Sequence, residues 1–253
     1  MKKSVKILSI VLALVIVIGC FAACGDKEEP KEEKKVLVMA TNAEFPPYEY
    51  YDGDKIVGID AEVAALIAEK LGMELKIEDV AFDSIIPGVQ AGKYDMGMAG
   101  MTVTEDRLKD VNFSDSYAKG VQVVIVKDGG TIASLDDVAG KKIGVQTNTT
   151  GDIYASGDFG EENVVKYENG ALAVEALKSG KVDCVIIDNE PAKAYVAANE
   201  GLKILETEYV EEDYAICFAK ENTELQEKVN AALKELIADG SVKKVVDKYI
   251  PSK

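Results

Sequence analysis

The stretch AGKYDMGMAG at Ala91–Gly100 has a counterpart in SGKVDCVIID at Ser179–Asp188. In both, the pattern predicts a helix that ends at Gly-Lys, followed by an Asp that enters a strand of small or apolar residues. A second pair, in the same order along the chain, is KKVLVMATN at Lys34–Asn42 and KKIGVQTN at Lys141–Asn148. Chance reuse of such phrases is the alternative, but two pairs in one order favour a chain that builds two similar lobes.

Strands and helices alternate around these stretches. KVLVMAT predicts a strand, DAEVAALIAEKLG a helix with Asp60 as its N-cap and Gly72 as its stop, and MELKIEDV another strand. Further strands are expected over Tyr94–Ala99, Lys142–Val145 and Val182–Ile187. This alternation predicts an α/β fold with flanked, mostly parallel sheets.

The N-terminus predicts export. The basic residues of MKKSVK precede an apolar run, Ile7–Ile18, that is broken only by Ser9, which is the pattern of a secretory signal. The run is too short for a comfortable membrane span. It ends at a cysteine between apolar and charged sequence and so resembles a bacterial lipoprotein signal over residues 1–23. Cys24 is favoured as the lipidated residue, Cys20 is the alternative, and an ordinary cleaved signal is a third interpretation.

The segment after Cys24 predicts a disordered tether over residues 24–35, because Gly25–Lys35 contains only Gly, Pro, Lys, Asp and Glu. Removing the three lysines before Cys24 leaves 26 basic and 45 acidic residues, a net charge of −19. Such a surface repels nucleic acid and anionic lipid. The chain has no His, which excludes His-based catalysis and His-ligated metal sites, and no cofactor or metal is expected. Cys184 and Cys217 lie in apolar runs and are expected to be buried free thiols, with a mutual disulfide as the alternative.

Ligands of open α/β sheets bind beyond the carboxyl ends of the strands. Four turns follow strands of this chain and are rich in donors, carboxylates or aromatic rings: TNAEFPPYEY at 41–50, AGMTVTEDR at 99–107, QTNTTGD at 146–152 and DNEP at 188–191. Together they could line a cleft between the lobes.

Arg107 is the single arginine of the chain, and the other 28 basic residues are lysines. Thr104 can cap the helix that follows, which places Arg107 in the first turn, where the helix dipole disfavours a cation. A planar guanidinium matches a carboxylate with two parallel hydrogen bonds, which lysine cannot do. Gly100 lets a ligand approach the backbone and Thr102 adds a hydroxyl. The alternative is a surface ion pair with the neighbouring acids.

The other turns complement this arginine. QTNTTGD offers hydroxyls and free N–H groups before a helix that is expected to begin near Thr150, and it lacks the Gly-rich pattern of a phosphate loop. Asp188 ends an apolar strand, where an ammonium group is its natural partner. The two charges describe a receptor for the head group of an α-amino acid. Phe45, Tyr48 and Phe82 could contact the ligand side chain, although aromatic residues more often belong to a core.

The chain resembles the extracellular solute-binding proteins of family 3, the amino-acid receptors of polar amino acid ABC importers. The resemblance rests on stretches that cover nearly the whole chain after the tether: TNAEFPPYEY, IVGIDAEVAALIAEKLG, FDSIIPGVQAGKYDMGMAGMTVTEDR, VNFSDSYAKGVQVVIVK, SLDDVAGKKIGVQTNTTG, ALKSGKVDCVIIDNEPA and LKELIADGSVKKVVDKYI. It implies a type II periplasmic-binding-protein-like fold. Lobe 1 would comprise residues 36–118 and 218–253, lobe 2 residues 119–217, and the hinge would lie near Lys119–Val123 and Asp213–Cys217.

The resemblance also implies a role for each site residue. Arg107 would clamp the ligand carboxylate with Thr102 and the backbone of Thr149 and Thr150. Asp188 and the Gly100 carbonyl would hold the ammonium group. Phe45 and Phe82 would stack along the ligand side chain, and it would be bordered by Asn42, Glu44, Ala99 and Gln146.

The residues expected around the ligand side chain give only a weak indication of the ligand class. Asn42 stands where many relatives carry Asp, and Ile187 where a glutamine binder can carry His. VQTNTTG followed by DNEPA is closer to binders of cationic amino acids, with Glu44 replacing the missing carboxylate.

Taken as a whole, the resemblance implies a lipid-anchored, monomeric, non-enzymatic receptor outside the cytoplasmic membrane. Its partners would be a free polar amino acid, with a weak preference for a cationic one, and an importer permease with its ATPase. The alternative is a secreted lyase or dehydratase on the same fold, with Glu44 and Glu190 as its spare carboxyl groups.

Overall fold

The computed structural model describes residues 35–205 and 209–251. The predicted signal peptide with Cys20, the favoured lipidation residue Cys24, and all of the predicted tether except Lys35 lie outside the described residues. Within the described part of the chain, no helix is both long and apolar enough to cross a membrane. In the same ranges, no group of three or more Cys, Asp or Glu side chains is placed to hold a metal ion.

Strands and helices alternate along the described chain. The strands are β1 Val36–Thr41, β2 Glu44–Phe45, β3 Glu49–Asp52, β4 Lys55–Val57, β5 Glu74–Asp79, β6 Met96–Gly97, β7 Val111–Phe113, β8 Ala118–Lys127, β9 Ile143–Gln146, β10 Val164–Tyr167, β11 Cys184–Asp188, β12 Leu202–Ile204, β13 Val210–Tyr214 and β14 Cys217–Ala219. The α-helices are α1 Ile59–Lys70, α2 Ile85–Gln90, α3 Arg107–Asp110, α4 Thr150–Phe159, α5 Gly170–Lys178, α6 Asn189–Ala198, α7 Thr223–Ala238 and α8 Ser241–Tyr249. Short 3-10 turns lie at Phe82–Ser84, Leu135–Val138 and Glu161–Asn163.

The two large sheets have the same plan. The first has the order β5-β1-β6-β14-β7, and the second has the order β10-β9-β11-β8-β12 with β13 also paired to β8. In each, three parallel strands are continued by an antiparallel fourth. The paired sequence stretches occupy equivalent places, because β1 and β9 are central parallel strands and β6 and β11 are their neighbours.

The sheets are mixed rather than mostly parallel. Parallel neighbours require a crossover connection, usually through a helix. By contrast, β8 follows β7 of the first sheet, and β14 follows β13 of the second, through short links without a helix. Because β8 and β14 each enter a sheet from the other sheet, they need no crossover helix. Each runs antiparallel to its neighbour, β8 to β11 and β14 to β6.

The two segments between the sheets run side by side. β8 and β13 are antiparallel, with Ala118 opposite Tyr214 and Lys119 opposite Asp213. Cys217, which the sequence analysis assigned to the second lobe, pairs with Gly97 of the first sheet.

Both sheets are buried on their two faces, as parallel strands usually are. Leu37 and Met39 of β1 pack in the core cluster that contains α1, whereas Ala40 packs in the cluster that contains α2. In β11, Val185 and Ile187 likewise face one cluster, and Cys184 and Ile186 face another. Packing on both faces fixes the strand ends, and with them the turns that follow.

Three local predictions can be compared with the structure. Gly72 ends α1 as predicted, with a φ of 66°. The prediction that Asp60 caps this helix is wrong: α1 begins at Ile59, and the fully buried Asp60 carboxylate accepts hydrogen bonds from elsewhere. Cys184 and Cys217 are buried and free, which confirms the prediction of free thiols.

Candidate ligand-binding site

A cavity lies where the carboxyl ends of the parallel strands of both sheets meet. It is lined by Asn42, Phe45, Glu49, Phe82, Ala99, Gly100, Thr102, Arg107, Gln146, Thr149, Thr150 and Asp188. The structure thus brings together all the predicted ligand contacts except Glu44 and Tyr48, which packs in the core, and it adds Glu49.

Arg107 points into this cavity and is only 8% exposed. Its Nη1 atom donates to the carbonyl of Thr102 at 2.8 Å, and its Nη2 atom donates to the carbonyl of Asn148 at 2.9 Å. The ring of Phe82 lies 5.3 Å from the guanidinium carbon. A guanidinium has five N–H donors, so it can hold these carbonyls and still offer donors to an anion. The alternative of a surface ion pair is wrong, because the side chain is buried.

The backbone around Arg107 differs from the expectation. The Thr104 hydroxyl accepts a hydrogen bond from the Arg107 N–H at 3.1 Å, as a cap would, but α3 is a single turn. A helix of four residues has too few aligned peptide dipoles for the expected penalty on a cation at its start.

The QTNTTGD turn faces this arginine from the second sheet. Asn148 has a φ of 61°, a conformation that Asn tolerates better than most residues. The carboxylate of Asp152 accepts from the Asn148 N–H at 3.0 Å and so fixes the turn. Thr149 caps α4, which begins at Thr150 as predicted. The first N–H groups of α4 and the Thr150 hydroxyl, 3.5 Å from that of Thr102, form a donor-rich wall.

Asp188 supplies a carboxylate at the end of β11. It is 6% exposed and accepts a short hydrogen bond from the Tyr214 hydroxyl. Burial and the nearby Glu212 charge both raise the pKa of Asp188. Glu212 is itself buried and accepts from the Gln122 side chain at 2.9 Å. A cationic ligand group beside Asp188 would relieve this concentration of negative charge.

Gly100 shapes the wall opposite. Its φ is 51°, and a Cβ at this position would lie 2.8 Å from Cε1 of Phe45. Its N–H donates to Asp60 at 2.8 Å, which fixes the peptide. Glycine is therefore required twice here, by its backbone conformation and by the close approach of an aromatic ring.

Asn42 and Gln146 join the two sides of the cavity. The Gln146 amide nitrogen donates to Asn42 Oδ1 at 2.9 Å, and the Asn42 amide nitrogen donates to the carbonyl of Val80 at 3.0 Å. Both side chains are buried, and both line the cavity beside the Phe45 ring.

Glu49, and not the predicted Glu44, lines the cavity. Residues directly opposite in an antiparallel pair share a face, and β2 and β3 pair Phe45 with Glu49. Glu49 therefore lines the cavity with Phe45, whereas the adjacent Glu44 side chain points away and is exposed. Behind the lining lie four residues that the turn motifs did not indicate: Asp60, Gln122, Glu212 and Tyr214.

The arrangement gives one buried cation, Arg107, and two lining carboxyl groups, Glu49 and Asp188. It can bind a small molecule that carries both an anionic and a cationic group. The profile of the bacterial extracellular solute-binding proteins, family 3, matches residues 37–252. This chain belongs to that family. As a family 3 solute-binding protein, it acts outside the cytoplasm. The predicted α/β, type II periplasmic-binding-protein-like fold is confirmed, with mixed sheets in place of mostly parallel ones.

This solute-binding protein matches individual relatives over nearly their whole length. The arginine-binding extracellular protein ArtP of Bacillus subtilis (strain 168) is 34% identical over 247 residues, which cover 93% of this chain and 96% of ArtP. The structure of an ancestral arginine-binding protein bound to arginine is 42% identical, with a TM-score of 0.80 over 87% of this chain and 100% of that one. The structure of an ancestral arginine-binding protein bound to glutamine is 41% identical, with a TM-score of 0.80 over the same shares. These homologues are binding proteins, in agreement with the expectation that this chain is not an enzyme.

Proposed function

We propose that the cavity binds a free L-amino acid with a cationic side chain and that the protein delivers it to the permease of an ABC importer. The observation that carries this proposal is the charge of the cavity. Glu49 and Asp188 line it, and Asp60 and Glu212 lie behind them, against a single lining cation, Arg107. A zwitterionic head group leaves an excess of carboxyl groups, which a cationic side chain would offset.

The head group would be held from both sheets. Arg107 would bind the carboxylate with its remaining N–H groups, helped by the Thr102 hydroxyl and by Thr149 and Thr150 at the start of α4. Asp188 and the Gly100 carbonyl would accept hydrogen bonds from the ammonium group.

The side chain of the ligand would extend between Phe45 and Phe82, past Asn42, Ala99 and Gln146. Glu49 would take the place at its charged end that the sequence analysis gave to Glu44. The arginine-binding activity named for ArtP, and the arginine bound in the ancestral structure, support arginine as the first ligand to test. The glutamine complex shows that a relative can also hold a neutral side chain.

Domain closure and anchoring complete the proposal. One lobe would comprise residues 36–118 and 217–253, because Cys217 pairs with the first sheet. The other would comprise residues 119–216, with β8 and β13 near the hinge. Because the ligand would touch both lobes, binding would favour the closed state. Cys24, or in its place Cys20, would carry a lipid that holds the monomeric protein on the outer face of the cytoplasmic membrane.

Calorimetry of the full chain in mild detergent, with arginine, lysine, ornithine, glutamine and alanine, tests this function. We expect stoichiometric binding, tightest for a cationic amino acid. Preference for alanine, or binding of none of the five, would contradict the proposal. The lyase alternative loses its candidate groups, since Glu44 points away from the cavity and Glu190 is paired with Lys193.

A further inference from the structure

Two carboxyl groups meet in the wall of the cavity. Glu49 of β3 and Asp60 of α1 are both 0% exposed, and the Asp60 N–H donates to the carbonyl of Tyr48, the residue before Glu49, at 2.9 Å. Asp60 Oδ2 accepts from the Gly100 N–H and from the Tyr117 hydroxyl, each at 2.8 Å. Within the described ranges, Asp60 Oδ1 and both Glu49 oxygens are buried without a hydrogen-bond partner.

Two ionised carboxylates cannot hydrogen-bond to each other, whereas a pair that holds one proton can. Burial first, and then the charge of Asp60, raise the pKa of Glu49 well above its ordinary value. Burial raises the pKa of Asp60 to about 6, although the Gly100 N–H and the Tyr117 hydroxyl act in the opposite direction. Such a pair titrates as a unit.

The surroundings of the pair do not neutralise it. The groups that face it are acids and phenols from several elements: Asp79 of β5, Asp188 of β11, Tyr48 before β3, Tyr117 before β8 and Tyr195 of α6. Arg107 lines the same cavity but directs its N–H groups at Thr102 and Asn148.

We propose that Glu49 and Asp60 share one proton in the unliganded cleft, and that a cationic ligand side chain displaces it to solvent. A neutral side chain of the same shape leaves the proton in place, so that the cleft accommodates either charge. The inference rests on the proposed function. It states that the protonation state of one lining residue, Glu49, sets whether the cleft holds a cationic or a neutral ligand side chain.

Arginine and citrulline make the matched probes, because a neutral ureido group replaces the guanidinium while the amino-acid head group is unchanged. Titration of Asp188 affects both ligands alike and cancels in their comparison. Calorimetry of the full chain in phosphate and in Tris buffers, which differ in ionisation enthalpy, counts the protons released. We expect arginine to release about one proton more than citrulline.

The pH dependence gives a second readout. From about pH 6.5 to 8, the ratio of arginine to citrulline affinity should rise with pH, by up to roughly tenfold per unit where Glu49 is protonated in the free protein. Glu49→Gln should abolish both the extra proton and the slope. Glu44→Gln, which changes the exposed neighbour on the same hairpin, should keep both.

Equal proton counts for arginine and citrulline, with a flat affinity ratio, would overturn this inference while leaving the proposed function intact. If citrulline binds too weakly to measure, arginine binding to the wild type and to Glu49→Gln gives the same proton difference. Failure of every cationic amino acid to bind would instead overturn the proposed function, and this inference with it.

Discussion

Arg107 Nη2 lies 2.9 Å from the carbonyl oxygen of Asn148, so the guanidinium beside the first sheet holds the turn that begins helix α4 beside the second. The same group faces the Phe82 ring and binds the Thr102 carbonyl. One side chain thus joins the two walls of the cavity in which it would bind the ligand carboxylate.

Arg107→Lys should weaken amino-acid binding at least tenfold, or about 1.4 kcal/mol, because lysine keeps the charge but loses the planar fork. Calorimetry measures the change. Lys109→Ala serves as the control, since this lysine is exposed and forms an ion pair with the exposed Asp106. The affinity of this variant should equal that of the wild type. An unchanged affinity in Arg107→Lys would exclude the assigned role.

Asp188→Asn should weaken binding by roughly thirtyfold or more, about 2 kcal/mol, because it removes the buried partner of the ligand ammonium group. The free protein should not lose thermal stability, since burial disfavours the charged form of this carboxyl group. Calorimetry and thermal melts test the two parts. The exposed Asp136→Asn should change neither, and a large fall in the melting temperature of Asp188→Asn with unchanged affinity would argue for a structural role.

Gly100→Ala should both destabilise the protein and weaken ligand binding. Gly53→Ala is the matched control, because Gly53 has a φ of 61° but open space around a Cβ. Each substitution incurs about 1–2 kcal/mol for a left-handed alanine, and only Gly100→Ala also displaces Phe45. Thermal melts should therefore show a larger loss for Gly100→Ala, and equal losses would indicate that the Phe45 contact is unimportant.

Tyr195→Phe should lower affinity by roughly two- to tenfold, because the Tyr195 hydroxyl of α6 donates to the Glu44 carbonyl of β2 at 2.8 Å. A net hydrogen bond contributes about 0.5–1.5 kcal/mol, and this one would stabilise the closed state. Tyr51→Phe removes an exposed hydroxyl bonded to Asp79 and should leave affinity unchanged by calorimetry. Equal affinities for wild type and Tyr195→Phe would show that this contact does not favour closure.

Much of the site could be predicted because its residues lie at strand ends. The apolar runs of β1, β6, β9 and β11 are read directly from local periodicity, and carboxyl ends of parallel strands meet at one edge. The isolated Arg107 and the donor-rich QTNTTGD turn were therefore recognisable before their contact was known.

The local sequence alone determined these elements, because hydrophobic spacing and turn residues act over a few positions. The tertiary structure decided which carboxyl group faces the cavity. The register of β2 against β3 turns Glu49 inward and Glu44 outward, and the packing of α1 sends Asp60 to Gly100 rather than to the helix end. Such contacts join residues far apart in sequence, so burial and pairing, rather than local propensity, fix the chemistry of the wall.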